Sequence, residues 1–200
     1  ATVNSCRQEL TTPTVSSQIE VDTATTQQRL EAARKCQEAG YTVRFKFKPI
    51  IPIANWREEA TQTLEMLFDT VQPDNLSLEM LFFDSVAELR ELFDLSLFDP
   101  EFLEMMERHE AAGLMTDIMH PMPEDFRAEV YEYYIDEIRR ISPEARVSLC
   151  AETPAMWERL GEKMRMSADS FVCNCGPVCA PRMSARQIRT DESGRAFVLS

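Results

Sequence analysis

Glycine is scarce, with five in 200 residues. Phosphate cradles of the P-loop or dinucleotide-binding kind need several at fixed spacing, so both are excluded. No apolar run approaches the ~20 residues that a membrane span requires, and the N-terminus lacks a signal-peptide pattern. Positive charge is short as well: 21 Lys and Arg stand against 34 Asp and Glu, for a net charge of −13. The deficit is concentrated, since residues 57–140 hold 22 acidic and 6 basic side chains. Such a surface disfavours nonspecific attraction to nucleic acid, although it leaves room for a small basic pocket. The two histidines, His109 and His120, are too isolated to suggest a zinc site. Six cysteines without a secretory signal point to a reducing, cytoplasmic setting, with thiols or metal ligands rather than disulfides.

What is present is ample for a core: 44% of the residues are hydrophobic. Strand and helix signals alternate. "ATVNSC" reads as the end of a strand, so the chain opens in mid-element and is expected to be a piece of something longer. A polar loop runs to about residue 22, and Asp22 or Thr23 is placed to cap a helix that Gly40 stops. "YTVRFKFKPI" is a strand, ended where Pro49 and Pro52 cannot continue a central ladder. "WREEATQTLEMLFDTV" is an amphipathic helix and "NLSLEMLFF" a strand. A cluster of helices fills 86–112, and a long helix from Pro123 to Ile141 carries Phe126, Val130, Tyr134 and Ile138 on one stripe. "ARVSLC" is a short strand and "TPAMWERLGEKM" a short helix; residues 167–200 read as irregular. This order predicts a parallel sheet with crossover helices.

The strands alternate unusually for a parallel sheet. Arg44, Lys46 and Lys48, Ser77 and Glu79, and Arg146, Ser148 and Cys150 fall at every second place, with Phe45, Phe47, Leu76, Leu78, Met80, Val147 and Leu149 between them. Thr2 and Asn4 likewise flank Val3. Period two sends the two sets to opposite faces. A helical layer on each face would bury these cations at great cost. A barrel or open partial barrel with a functional lumen avoids that cost, and so does a sheet with one exposed face.

The order of "ATVNS", "TATTQQRLEAARKCQEAGYTVRFKFKPI", the Trp-led helix and "LSLEML" resembles the second half of radical S-adenosylmethionine barrels. The likeness is to the spore photoproduct lyase group, and "FRAEVYEYYIDEIRRISPEARVSLCAETPAMW" extends it toward residue 160. The resemblance implies an α/β fold, the C-terminal part of a (βα)6-type partial TIM barrel over residues 1–165, followed by an irregular cysteine-containing tail over 166–200. It implies reductive cleavage of S-adenosylmethionine at a [4Fe-4S] cluster, with a flavodoxin or ferredoxin as electron donor. The resulting 5′-deoxyadenosyl radical would abstract hydrogen from a substrate, which in that group is a thymine dimer in DNA. Thr2 and Asn4 match cofactor-contacting positions, and Arg44 and Lys48 are candidates to meet the cofactor's carboxylate. Glu79 and Lys46 are candidate catalytic groups, and ion pairing between cations and carboxylates is the plainer reading of the same face. The three-cysteine loop CxxxCxxC that defines the family is absent from these 200 residues. "CNCGPVC" has a different spacing, and Cys173, Cys175 and Cys179, with Cys150 as a fourth ligand, are candidates for an auxiliary Fe–S cluster or a structural zinc; reduced, unliganded thiols are the alternative. Cys150 is also a candidate hydrogen-atom donor. A non-catalytic metal-binding or interaction module is the rival reading of the whole.

Overall fold

The structure, a computed structural model, describes residues 5–168 and the backbone of 188–190 and 196–198. Four parallel strands lie side by side in sequence order: β1 (Ser5–Leu10), β2 (Thr42–Ile50), β3 (Asn75–Met80) and β4 (Val147–Leu149). The connections carry α1 (Thr26–Glu38), α2 (Trp56–Thr70), α3 (Val86–Leu92), α4 (Pro100–Ala111) and α5 (Glu124–Ile141). The helix α6 (Pro154–Met164) follows β4, and a separate antiparallel pair is formed by β5 (Ile188–Thr190) and β6 (Ala196–Val198). Right-handed crossovers between strands taken in sequence order put the connecting helices on one face of the sheet. Packing between α1 and α2, α2 and α5, and α5 and α6 forms that single layer.

The layer rests on the apolar set that alternation singles out. Val43, Phe45, Phe47, Leu76, Leu78, Val147 and Leu149 are all buried. They meet Leu30 and Ala33 of α1, Leu64 and Leu67 of α2, and Val130, Tyr134 and Ile138 of α5. Tyr134 stands edge-on to Phe47, with 5.4 Å between ring centroids. The aromatic stripe of α5 therefore packs the core.

Several boundaries differ from the sequence reading. β1 runs through Ser5–Leu10 instead of ending at Cys6, because Leu10 continues the apolar face in register with Phe47. The cap of α1 is Thr25, whose side chain accepts from the Gln28 amide while Gln28 returns a bond to Thr25; this reciprocal box outcompetes a cap at Asp22 or Thr23. Gly40 does stop the helix, at φ +87°. β2 passes through Pro49 by a register break: Phe47 pairs with Leu78 and Ile50 with Met80, so one extra residue on β2 absorbs the missing N–H. The tail contains two short strands where irregular chain was expected; both are β-branched or aromatic at their centres or ends. The sheet has four strands in the described residues, fewer than six, and closure into a barrel is not seen among them.

The loop after β1 is fixed from α2. Glu59, 7% exposed, accepts from the Thr14 amide at 3.0 Å and from the Thr14 hydroxyl. Replacing it strands two donors. Glu59→Ala should lower unfolding stability in urea by about 2 kcal/mol and speed hydrogen exchange at the Thr14 amide. Unchanged exchange there would show that the loop is anchored by other contacts.

Candidate functional site

The second face of the sheet is polar and stacked in levels along the strands. At the N-terminal level, Arg44 is fully buried and donates to Asp74 at 2.6 Å, and Arg146 stands 3.6 Å from the same carboxylate. In the middle, Asn75 donates to Ser148 at 3.0 Å and to Ser77 at 3.3 Å, and the Ser77 and Ser148 hydroxyls are 2.7 Å apart. At the C-terminal level, Glu79 is 2% exposed and takes two cations, Lys46 at 2.5 Å and Lys48 at 2.9 Å. The Cys150 thiol, directly after β4, neighbours both Lys46 and Glu79. Three adjacent parallel strands thus bring two ammonium groups, a carboxylate and a thiol to their carboxyl ends, the place where open α/β sheets bind ligands.

The electrostatics follow from this packing. Burial pushes the Glu79 carboxyl up, but hydrogen bonds from Lys46, Lys48 and Cys150 outweigh it and hold the group below its ordinary value. Burial also opposes the charge on Lys46, yet Glu79 and Cys150 keep its pKa raised. Burial, reinforced by Glu79, pushes the Cys150 thiol up to about 12, so the neutral thiol is the favoured form.

A second network braces these strand ends. Tyr131 of α5 donates to Glu152 at 3.0 Å and accepts from the Met80 amide at 3.2 Å, one residue beyond Glu79. Arg127 donates to Glu152 at 2.9 Å and to the Met122 carbonyl at 2.5 Å. His120 lies 2.7 Å from Asp117 and 2.9 Å from the Ala151 carbonyl, tying the loop before α5 to the residue after Cys150. Alternation along β1 brings Arg7 and Glu9 onto the polar face, in register with Arg44 and Lys46. Neither the brace nor this pair emerged from the sequence. Arg127 and Glu152 are 25 residues apart with no local pattern linking them, and β1 was expected to have ended before Arg7.

Of the candidate site residues, the structure gathers Lys46, Lys48, Glu79 and Cys150, and places Arg44 at the opposite end of the face against Asp74. Thr2, Asn4, Cys173, Cys175 and Cys179 lie outside the described residues. Among the described residues no three ligating side chains gather as a metal site, and no helix is long and apolar enough to cross a membrane.

Fold and site together define a sequentially wound parallel α/β sheet, with helices on one face and a level of paired charges on the other. Residues 4–90 match the model of the spore photoproduct lyase family. The similarity runs from Asn4 into α3, a stretch that includes Lys46, Lys48 and Glu79 but not Cys150. No curated protein and no solved structure matches it.

Removing the Glu79 charge leaves two cations facing each other. A carboxyl with a depressed folded-state pKa contributes stability that is present above its unfolded value and is lost as pH falls through the folded one. Glu79→Gln should therefore cost about 3 kcal/mol at pH 7. The gap from the unaltered chain should narrow steadily in urea titrations carried below pH ~4.5, the carboxyl's ordinary value. A cost independent of pH would mean that Glu79 acts by shape alone.

Proposed function

We propose that the chain is the C-terminal part of a partial-barrel radical S-adenosylmethionine enzyme of the spore photoproduct lyase type. Residues 1–165 would form its barrel portion and 166–200 a cysteine-bearing tail. The observation that carries the reading is the convergence of Lys46, Lys48 and Glu79 at adjacent strand ends, inside the segment that matches the family.

These side chains suit a ligand bearing a carboxylate. Two ammonium groups share one carboxylate, and Lys48 is 39% exposed, so its charge can be shared with an incoming anion. Lys46 and Glu79 would orient that ligand, with Arg44 supporting the face from below and Thr2 and Asn4 proposed as further cofactor contacts. The family chemistry is hydrogen abstraction by a 5′-deoxyadenosyl radical drawn from S-adenosylmethionine, with a flavodoxin- or ferredoxin-type reductant. The residues present do not fit the catalytic iron–sulfur cluster, since CxxxCxxC is missing from the sequence, and no step is derived through it. Repair of a DNA photoproduct is the substrate reading that the family supports. The 22 acidic against 6 basic residues of 57–140 favour a substrate other than duplex DNA at that surface.

Titration calorimetry of the chain with S-adenosylmethionine tests the site. Binding by the unaltered chain should weaken about tenfold in Lys48→Ala, the loss of one charge-assisted contact. No heat of binding at millimolar ligand, with the fold intact by circular dichroism, would remove the ligand-site reading.

The tail reading has its own test. We propose that Cys173, Cys175 and Cys179 join Cys150 in an auxiliary Fe–S cluster, with structural zinc as the alternative. Anaerobic reconstitution followed by iron, sulfide and zinc analysis should show metal that the Cys173→Ala/Cys175→Ala chain loses. Equal metal content in both chains, or none in either, would return these cysteines to plain thiols.

A further inference from the structure

Two cysteines play no part in the ligand face. Cys6 is the second residue of β1 and Cys36 lies in the last turn of α1, the helix that crosses over from β1 to β2. The crossover runs α1 back along the strand it has just left, so the end of the helix returns beside the start of the strand. Register agrees: Cys6 pairs with Val43, seven residues beyond Cys36, and shares a strand face with Leu10, which is buried under the helices. On α1, Cys36 follows the buried Ala33 by three residues, on the same helical stripe. Both thiols are free, partly buried and packed against the core. The Gln8 side-chain amide donates to Cys6 Sγ at 3.7 Å and holds it in place. Helix α1 packs on β1, and the neighbouring Cys6 thiol, with burial, holds the Cys36 thiol above its ordinary value.

We propose that Cys6 and Cys36 form a reversible dithiol–disulfide clasp joining β1 to α1. The oxidant is a peroxide. The Cys6 sulfur attacks one peroxide oxygen, giving a sulfenic acid and releasing the first water. The Cys36 sulfur then displaces the hydroxyl as a second water, so two thiols are oxidised by two electrons and one hydrogen peroxide is reduced. Cys36, protonated until that moment, is the resolving partner. Thiols on a strand and a helix that pack on each other need limited backbone movement to reach disulfide geometry. The clasp would pin the edge strand, whose opposite face carries Arg7 and Glu9, to the first helix of the layer. It stands apart from the ligand site and does not depend on it.

Peptide mapping of the full chain decides the matter. After brief treatment with hydrogen peroxide and blocking of free thiols, trypsin releases one peptide ending at Arg7 and another spanning Cys36–Arg44. The clasp predicts that these two are recovered joined, lighter by two hydrogens, and separate after dithiothreitol. In Cys36→Ser, Cys6 should instead proceed to sulfinic acid, for want of a resolving thiol. Recovery of both peptides unlinked and alkylated from the unaltered chain would overturn the proposal. So would Cys6 joined mainly to a cysteine other than Cys36.

Discussion

The polar face depends on one carboxylate. Glu79 is buried in the third strand with two lysines from the second, and neither Lys46 nor Glu79 would tolerate its position without the other. Removing an ion from water costs several kcal/mol even after relaxation, and only close opposite charge with further hydrogen bonds repays it. Here the repayment comes from neighbouring strands, with the Cys150 thiol adding a contact from the fourth. The apolar face can then be given over to the helices, and the polar groups of the other face are satisfied by one another.

The brace behind this group makes it specific. Tyr131 reaches from α5 to the backbone beside Glu79 and to Glu152, and Arg127 and His120 complete the surround. The strand ends that carry Glu79 and Cys150 are thereby held by side chains from outside the sheet. Charges at strand termini that are locked from behind by a buried network are held in fixed orientation. The layer of helices has a parallel role, since α1, α2, α5 and α6 pack in succession against one another.

Much of this was legible in the sequence. Arg44, Lys46 and Lys48 alternating with Phe45 and Phe47 announced two faces of different character, and the strand–helix order announced a parallel sheet. Ser77 and Glu79 placed the next strand in the same scheme. What escaped notice was set by tertiary contact. The extent of β1 depends on Leu10 finding Phe47, and the bulge at Pro49 on β3 accepting an extra residue. The Tyr131–Glu152–Arg127 group joins a helix to a loop that no local pattern connects. The nearness of β1, with Cys6, to α1, with Cys36, was hidden in the same way, as the two cysteines stand 30 residues apart in the sequence.

The graded polar levels also act as a key to strand alignment. Sliding β2 by one residue against β3 would bring Phe47 toward Glu79 and drive a lysine into the helix layer, inverting every side chain of the strand. Purely apolar parallel strands carry no such penalty, for one valine or leucine can replace another with little change. Here each level has a different chemistry, Arg with Asp, then amide with hydroxyls, then Lys with Glu, so a misaligned sheet fails at all three at once. The charges of the polar face therefore discriminate among the ways the chain could pair with itself.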